Sequence, residues 1–438
     1  MKYKRRMHDE FFKKLYAFNR ILLVSFGLWP FQLQSEVNVH LAFCIIFCYS
    51  LYIGAITRIL DSFDKEPMVL LENLPPILTM ITILTRHITT HSSRDNVKKI
   101  FIKMYDDWST INDEKERQIL KDAVASGKKQ FYIYILGLMI FTSAVTFVTA
   151  YPALVGLLKG NFSFGYECLP VNVLFNGIDE HKYFYLIAAH VYPAIFIHIL
   201  IMTATMGIYI ISVQHTQGLF KIAGYQLQHC ADDSFEDNIN LYPNIKEDRS
   251  YMIIMEGIRK HSNAIENVRL LEDTFTLTFL VVQVSNIFLI SFTSFQVITY
   301  SGMPHSVIRF STFTVGQLYQ LFFESWQGQQ VLDGCEDLRL SIFKSNWYCL
   351  SMRSRVLLRF VLLRSDIISE ITAGKIYTLS YQSFAKVGNN YINILASKLL
   401  IIILLILDRS YSHVMLHSNK IYAINLIIST RCTNLGSI

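Results

Sequence analysis

Long apolar stretches alternate with charged connections along this chain. The apolar stretches are long enough to cross about 30 Å of hydrocarbon as helices, and they lie near 37–60, 70–91, 131–157, 183–212, 274–300 and 306–327. A more polar stretch near 373–395 is the candidate for a seventh span. The pattern therefore predicts an all-α membrane protein with seven transmembrane helices in one domain, 37–395.

The connections carry their own helical pattern. Residues 92–130 and 213–272 place apolar residues three and four positions apart among charged ones, which predicts long helical extensions beyond the membrane. The segment 1–36 shows the same spacing over 11–24, as an amphipathic helix at the membrane interface does. Pro75 and Pro76 predict an entry turn in the second span.

Lysine and arginine are distributed unevenly between the two sets of connections. Segments 1–37, 92–130, 213–272 and 329–371 hold 28 of them, whereas 61–73, 157–182 and 299–306 hold three. Basic residues collect on the cytosolic side of membrane proteins. The N-terminus is therefore predicted to be cytosolic and, with seven spans, the C-terminus extracellular.

The composition agrees with a membrane protein and excludes other classes. Only 17% of the residues are charged and mean hydropathy is +0.32, against about 25% charged in a soluble domain. A net charge of +6 indicates no nucleic-acid partner. The chain has no glycine loop for phosphate, nucleophile elbow or paired carboxylates, so we expect neither an enzyme nor a cofactor.

A few ionisable residues stand inside the apolar spans, where such residues are functional hypotheses. His190 and His198 share nearly one face of the fourth span, either bonded to a neighbouring helix or marking a polar point in a pocket. Glu324 ends the sixth span, either shaping a cation path or solvated at the interface. His87 and His91 have a zinc-compatible spacing but no third ligand, which favours a structural role and no metal.

Four stretches resemble one family, the insect odorant receptors. They are "FGLWP" (26–30), "RLLEDTFTLTFLVVQVSNIFLISF" (269–292), "QLYQLFFESWQGQQVLDGCEDLRLSIFKSNWYCL" (317–350) and "TAGKIYTLSYQSFAKV" (372–387). The last is similar to the family's most specific motif. It is polar but helix-like, so we expect it to begin the seventh helix.

The resemblance implies an odorant-gated, non-selective cation channel in the plasma membrane of olfactory sensory neuron dendrites. Four subunits would surround one pore, with a tuning receptor such as this one joined to the odorant receptor coreceptor. The cytosolic helical extensions would form an anchor region between subunits. The partners implied are a volatile small-molecule odorant, the coreceptor and the lipid bilayer.

The resemblance also implies where the sites lie. An odorant pocket in the outer half of the bundle indicates, by span position, Met139, Ser143, Phe147, Tyr151, Tyr185, Ala188 and Tyr192 as ligand-binding residues. A pore lined by span seven indicates Lys375, Thr378, Gln382 and Ser383.

Other functions fit this pattern less well, and the end of the chain has an unusual composition. A gustatory receptor channel is the nearest alternative, while a transporter or a G-protein-coupled receptor fits less well because the latter has its N-terminus outside. Residues 388–438 contain no Glu, Gln, Pro, Phe or Trp. Translated AT-rich non-coding DNA tends to have a composition of this kind. We interpret 388–438 as a gene-model extension, with a genuine additional hydrophobic tail as the alternative.

Overall fold

The computed structural model describes residues 10–62, 67–158, 169–175, 178–179, 182–231, 241–244, 248–300 and 302–389. The chain divides into two compact units, Met1–Lys386 and Val387–Ile438. Only residues 387–389 of the second unit are described, so the end of the expected seventh span and nearly all of the atypical tail lie outside the described residues.

The described part of the first unit is helical, which confirms the all-α class; the count of seven spans and the orientation of the termini stay predictions. Its helices are α1 (Ala17–Ser25), α2 (Gln34–Phe43), α3 (Ser50–Ser62), α4 (Pro67–Ser92), α5 (Arg94–Thr110), α6 (Glu114–Leu158), α7 (Phe184–Gln228), α8 (Arg249–Thr299), α9 (Pro304–Lys344) and α10 (Met352–Ser365). A π-helical turn, Cys44–Cys48, joins α2 to α3. Two short strands, β1 (Thr372–Ala373) and β2 (Tyr377–Thr378), precede helix α11, which is described over 381–389.

Four helical segments of the described chain are long and apolar enough to cross a membrane: Gln34–Ser62, Glu114–Tyr151, Phe184–Gln228 and Arg249–Thr299. The expected spans 70–91 and 306–327 lie within α4 and α9. Helices α6 and α7 have 45 residues each, or about 68 Å at 1.5 Å per residue. They exceed the thickness of the hydrocarbon core, so their polar halves extend beyond it.

Helix α7 is the central helix of the bundle. In its most apolar window 78% of the residues are buried inside the protein, whereas the corresponding window of α6 is only 11% buried. Both helices are apolar for different reasons. The side chains of α7 pack against α6, α8 and α9, whereas those of α6 largely face outward, toward the lipid that a membrane would supply.

The two prolines of the second span are inside a helix, which corrects the expected entry turn. Pro75 and Pro76 lie well within α4. Each proline leaves one carbonyl of the preceding turn without its usual donor, and bundled membrane helices tolerate this loss because neighbouring groups compensate. The Thr79 hydroxyl also donates to the carbonyl oxygen of Pro75 itself (3.0 Å), which is not one of these two carbonyls.

The stretch 372–380 is not helical, which corrects the expected start of the seventh helix. Strands β1 and β2 pair antiparallel, with Thr372 opposite Thr378. Gly374 and Lys375 between them have φ of 64° and 59°, in the left-handed region that suits tight hairpin turns and that a helix excludes. The helical residues of this motif begin only at α11.

The hairpin is attached to α8 by side chains of that helix. The amide N of Thr372 donates to Glu272 Oε2 (2.7 Å), and that of Gly374 donates to Thr276 Oγ1 (3.0 Å). The chain also passes close to α9, because a Cβ at Gly328 would collide with the Leu379 carbonyl oxygen. These polar attachments explain why a motif rich in hydroxyls is not a simple apolar helix.

The N-terminal segment forms two helical stretches, 10–15 and α1, separated at Tyr16. Leu22 and Leu23 are buried, while Phe18 and Ile21 are exposed. The segment therefore has two faces, as its spacing predicted, but its apolar face packs on the protein, mainly against α7.

The positive φ of Gly374 makes it a test of the hairpin. We expect Gly374→Ala to destabilise the protein by about 1–2 kcal/mol, since an L-residue disfavours this region and its Cβ would lie 2.8 Å from Leu280. Gly302→Ala is the matched control, because nothing lies within 4 Å of a Cβ there. Thermal unfolding of the purified protein in detergent measures both, and equal melting temperatures would contradict the hairpin.

Candidate functional site

A cavity of about 160 Å³ lies inside the bundle, between α4, α6, α7 and α9. Most of its lining is aliphatic or aromatic, with a few hydroxyl and amide groups. The lining residues are Pro76, Thr79, Met80, Thr82, Ile83, Leu138, Phe141, Thr142, Val145, Thr146, Pro170, Val171, Ile195, His198, Ile199, Met202, Thr312, Phe313, Gly316, Gln317 and Gln320.

The size of the cavity limits what it can hold. An apolar cavity of about 150 Å³ engineered into another protein stays dry and binds benzene. The cavity of 160 Å³ found here therefore fits a molecule of about one six-membered ring with small substituents. A concave, mostly apolar site with a few polar groups is typical of small-molecule binding.

The segment 169–175 closes one side of the cavity through Pro170 and Val171. Backbone bonds hold this segment against two helices: Leu174 N donates to the Gly54 carbonyl oxygen of α3 (2.8 Å), and Asn172 N donates to Asn73 Oδ1 of α4 (3.3 Å). The wall is therefore attached to the bundle by hydrogen bonds at two points.

A buried charged network adjoins the cavity at Gln320. Gln320 Nε2 donates to Glu324 Oε1 (2.6 Å), and its Oε1 accepts a hydrogen bond from the Tyr134 hydroxyl (2.7 Å). Glu324 is fully buried and forms an ion pair with Arg86, while Gln283 Nε2 donates to its second oxygen (2.8 Å). Side chains from α4, α6, α8 and α9 thus meet in one network.

This network corrects one expectation about Glu324. The expectation that Glu324 is a solvated carboxylate at the interface is wrong, since the side chain has 0% exposure and its charge is balanced by Arg86. The proposal that Glu324 shapes a cation path stays a prediction. Opposite charges in two apolar spans were visible in the sequence, and their pairing was the signal that sequence reasoning missed.

The two histidines of α7 differ in their bonding. His190 Nε2 lies 2.9 Å from the Phe47 carbonyl oxygen and 3.0 Å from Ser50 Oγ, and it does not line the cavity. His198 lines the cavity, and its Nδ1 lies 2.7 Å from the Ala194 carbonyl oxygen of its own helix. The two alternatives considered for this pair thus separate, one histidine bonding a neighbouring helix and the other facing a cavity.

Sequence position did not select the residues that line the cavity. Ser143, Phe147, Tyr151 and Tyr185 are exposed on the outer surface, and Met139 is half-buried against the core. Ala188 and Tyr192 pack on a separate apolar cluster that includes Val191. None of the seven lines the cavity, so their role in ligand binding stays a prediction.

The difference on α6 is one of helical phase. The cavity takes Leu138, Phe141, Thr142 and Val145, which lie one or two positions from the expected set. One position rotates a side chain by about 100° around the helix. Because both faces of α6 are apolar, the sequence had no signal with which to distinguish the protein side from the lipid side.

The residues expected to line a pore fall on two different elements. Lys375 is exposed at the tip of the hairpin, and the Thr378 hydroxyl donates to Glu370 Oε2 (3.1 Å). Gln382 and Ser383 lie on α11, where Gln382 is exposed and Ser383 N donates to Ser380 Oγ (3.2 Å). The four do not form one helical face, and their contact with a pore stays a prediction.

A family model described as "7tm Odorant receptor" matches residues 66–392. The fold is similar to the insect olfactory receptor OR5 from Machilis hrabei in complex with eugenol, with a TM-score of 0.70 and 11% identity over 91% of this chain and 99% of that one. The same receptor in a second structure gives 0.68 and 12% over 89% and 98%. No curated protein matches this chain significantly by sequence.

The buried ion pair gives a prediction about stability. Glu324→Gln removes one charge and leaves Arg86 buried without its partner, so we expect destabilisation of about 3–5 kcal/mol. The double variant Arg86→Met, Glu324→Leu should recover much of that loss, because it removes both charges together. Thermal unfolding in detergent measures each variant.

The control is the pair Lys103–Glu266, whose glutamate side chain is 72% exposed. Glu266→Gln should change stability by no more than about 1 kcal/mol, as exposed ion pairs do. If Glu324→Gln is no more destabilising than Glu266→Gln, then Arg86 and Glu324 do not form a buried pair.

Proposed function

Because this chain belongs to the odorant receptor family, we propose that it is the odorant-binding subunit of a ligand-gated, non-selective cation channel. The observation that carries the proposal is the apolar cavity of about 160 Å³ within the helix bundle. Such a cavity suits a small volatile molecule, which has few polar groups and a large apolar surface.

We further propose that the chain is a tuning receptor assembled with the odorant receptor coreceptor in the plasma membrane of olfactory sensory neuron dendrites. Its N-terminus would be cytosolic, as the 28-to-3 distribution of basic residues between alternate connections supports. In this arrangement α11, with the exposed Gln382, would contribute to the pore. An odorant would act by binding the open state more tightly than the closed one.

The polar network next to the cavity supports a physical route from ligand to channel. Gln320 lines the cavity and also bonds Glu324. A ligand that moves Gln320 would disturb the balance of charge around Arg86 and thereby the packing of four helices. Two states of such a network, differently favoured by the ligand, are what gating requires.

The channel function has a direct test. The chain should be co-expressed with the coreceptor in a cell that does not otherwise respond to odorants, and membrane current recorded during an odorant panel. We expect an odour-evoked cation current that survives G-protein blockade, because the chain itself forms part of the pore. Second-messenger output without current would support a G-protein-coupled receptor and reject the channel.

The position of the binding site has a test built on two adjacent residues. Thr142 lines the cavity, whereas Ser143 is exposed on the next face of α6. Thr142→Phe should fill part of the cavity and raise half-effective odorant concentrations about tenfold or more, while the maximal current persists. Ser143→Phe should leave both unchanged, since it adds an apolar group to an outward face.

The opposite result is equally informative. If Ser143→Phe shifts odorant sensitivity and Thr142→Phe does not, ligand binds on the face expected from sequence position. Phe147→Ala and Tyr185→Ala would then change the odorant profile as well. Surface expression of each variant, measured by labelling intact cells, separates a loss of sensitivity from a loss of protein.

A further inference from the structure

One nitrogen on the cavity wall has no hydrogen-bond partner. His198 is 3% exposed, and its Nε2 is a buried polar atom without a partner. Within the described chain, it is the one side-chain nitrogen or oxygen among the cavity-lining residues that is both buried and unpaired. A buried polar atom left without a partner is unfavourable, so a ligand that supplies one gains affinity.

The bond on the other side of the ring decides what Nε2 can do. Nδ1 lies 2.7 Å from the Ala194 carbonyl oxygen, which can only accept a hydrogen bond. Nδ1 therefore carries the proton, and in the neutral imidazole Nε2 has a free lone pair and no hydrogen. The cavity thus presents a hydrogen-bond acceptor.

Other polar groups of the lining are already engaged in bonds within the protein. The hydroxyls of Thr79, Thr82 and Thr312 donate to carbonyl oxygens four residues earlier on their own helices. Both polar atoms of the Gln320 amide are bonded, one to Tyr134 and one to Glu324. His198 Nε2 differs from these neighbouring groups in making no hydrogen bond at all.

We propose that His198 Nε2 accepts a hydrogen bond from a hydroxyl group of the ligand, so that the cavity selects small apolar molecules with one O–H group. This inference rests on the proposed function, since it names the ligand class of the same cavity. Ethers, ketones and hydrocarbons of similar size fill the space but have no proton to donate. They leave Nε2 unpaired, and their binding is weaker for that reason.

The ring itself is held in place by its surroundings. Its centroid lies 5.6 Å from that of Tyr52, whose hydroxyl donates to the carbonyl oxygen of Met80, another lining residue. The acceptor is therefore fixed before the ligand arrives. A preorganised partner strengthens binding because little conformational freedom is lost when the bond forms.

The test uses matched ligands that differ in the donor. The full chain, purified in detergent, is titrated with phenol or anisole, with cyclohexanol or cyclohexanone, and with toluene, while its thermal stability is followed. We expect each hydroxylated member to bind about three- to tenfold more tightly than its partner, the effect of one neutral hydrogen bond. Half-effective concentrations for current provide the second readout.

Two variants assign the difference to one nitrogen. His198→Phe keeps an aromatic ring but removes the acceptor. The preference for hydroxylated ligands should therefore disappear, while toluene still binds. His190→Phe is the matched control on the same helix, two turns away, where Nε2 already has protein partners. It should leave the preference unchanged.

The possible outcomes distinguish the role of His198 from the proposed binding of ligands in the cavity. If the wild-type protein binds toluene but shows no preference for hydroxylated ligands, the role of His198 is rejected and the cavity remains a ligand site. A preference that persists in His198→Phe also rejects it. If no probe stabilises the protein or evokes current, both the role of His198 and the binding cavity are rejected.

Discussion

The ion pair between Arg86 and Glu324 is the interaction on which the middle of this bundle depends. An unpaired charge in an apolar interior costs several kcal/mol of lost hydration, which is a large part of the stability of a protein. The carboxylate therefore requires Arg86 from α4 and Gln283 from α8, while Gln320 and Tyr134 extend the network to α6. Four helices are thereby fixed in register.

The cavity lies next to this polar centre and has the opposite character. Its walls share α4, α6 and α9 with the network and add α7, but its lining is mostly apolar, with Gln320 as the residue common to both. A ligand would therefore supply the dispersion contacts that the lining of an empty cavity lacks. It would do so beside a network in which two opposite charges are paired. The cavity and the buried ion pair are therefore adjacent in the structure, with Gln320 in contact with both.

The polar hairpin after α10 follows the same principle at another place. Backbone groups near a membrane require partners, and Glu272 and Thr276 of α8 supply them to Thr372 and Gly374. The motif is polar because it is bonded to a helix of its own unit. The motif is therefore not one water-facing helix. Only its residues in α11 are helical.

The sequence by itself determined the helical class, the extent of the long apolar helices and the uneven distribution of charge. These follow from local composition and from the period of 3.6 residues, which act over one turn or two. The four stretches that resemble odorant receptors, among them "FGLWP" and "TAGKIYTLSYQSFAKV", led to the family that the family model then matched over 66–392.

Only the tertiary structure decided which face of each helix turns inward. On α6, Thr142 and Ser143 are adjacent and chemically alike, yet one lines the cavity and the other faces outward. The tertiary structure likewise decided that His198 lines the cavity and His190 does not. It also decided the pairing of Arg86 with Glu324, which are 238 positions apart in the sequence. In a helix that is apolar on all sides, burial against protein and burial against lipid produce the same pattern of apolar residues in the sequence. Only the packing of the helices distinguishes the two.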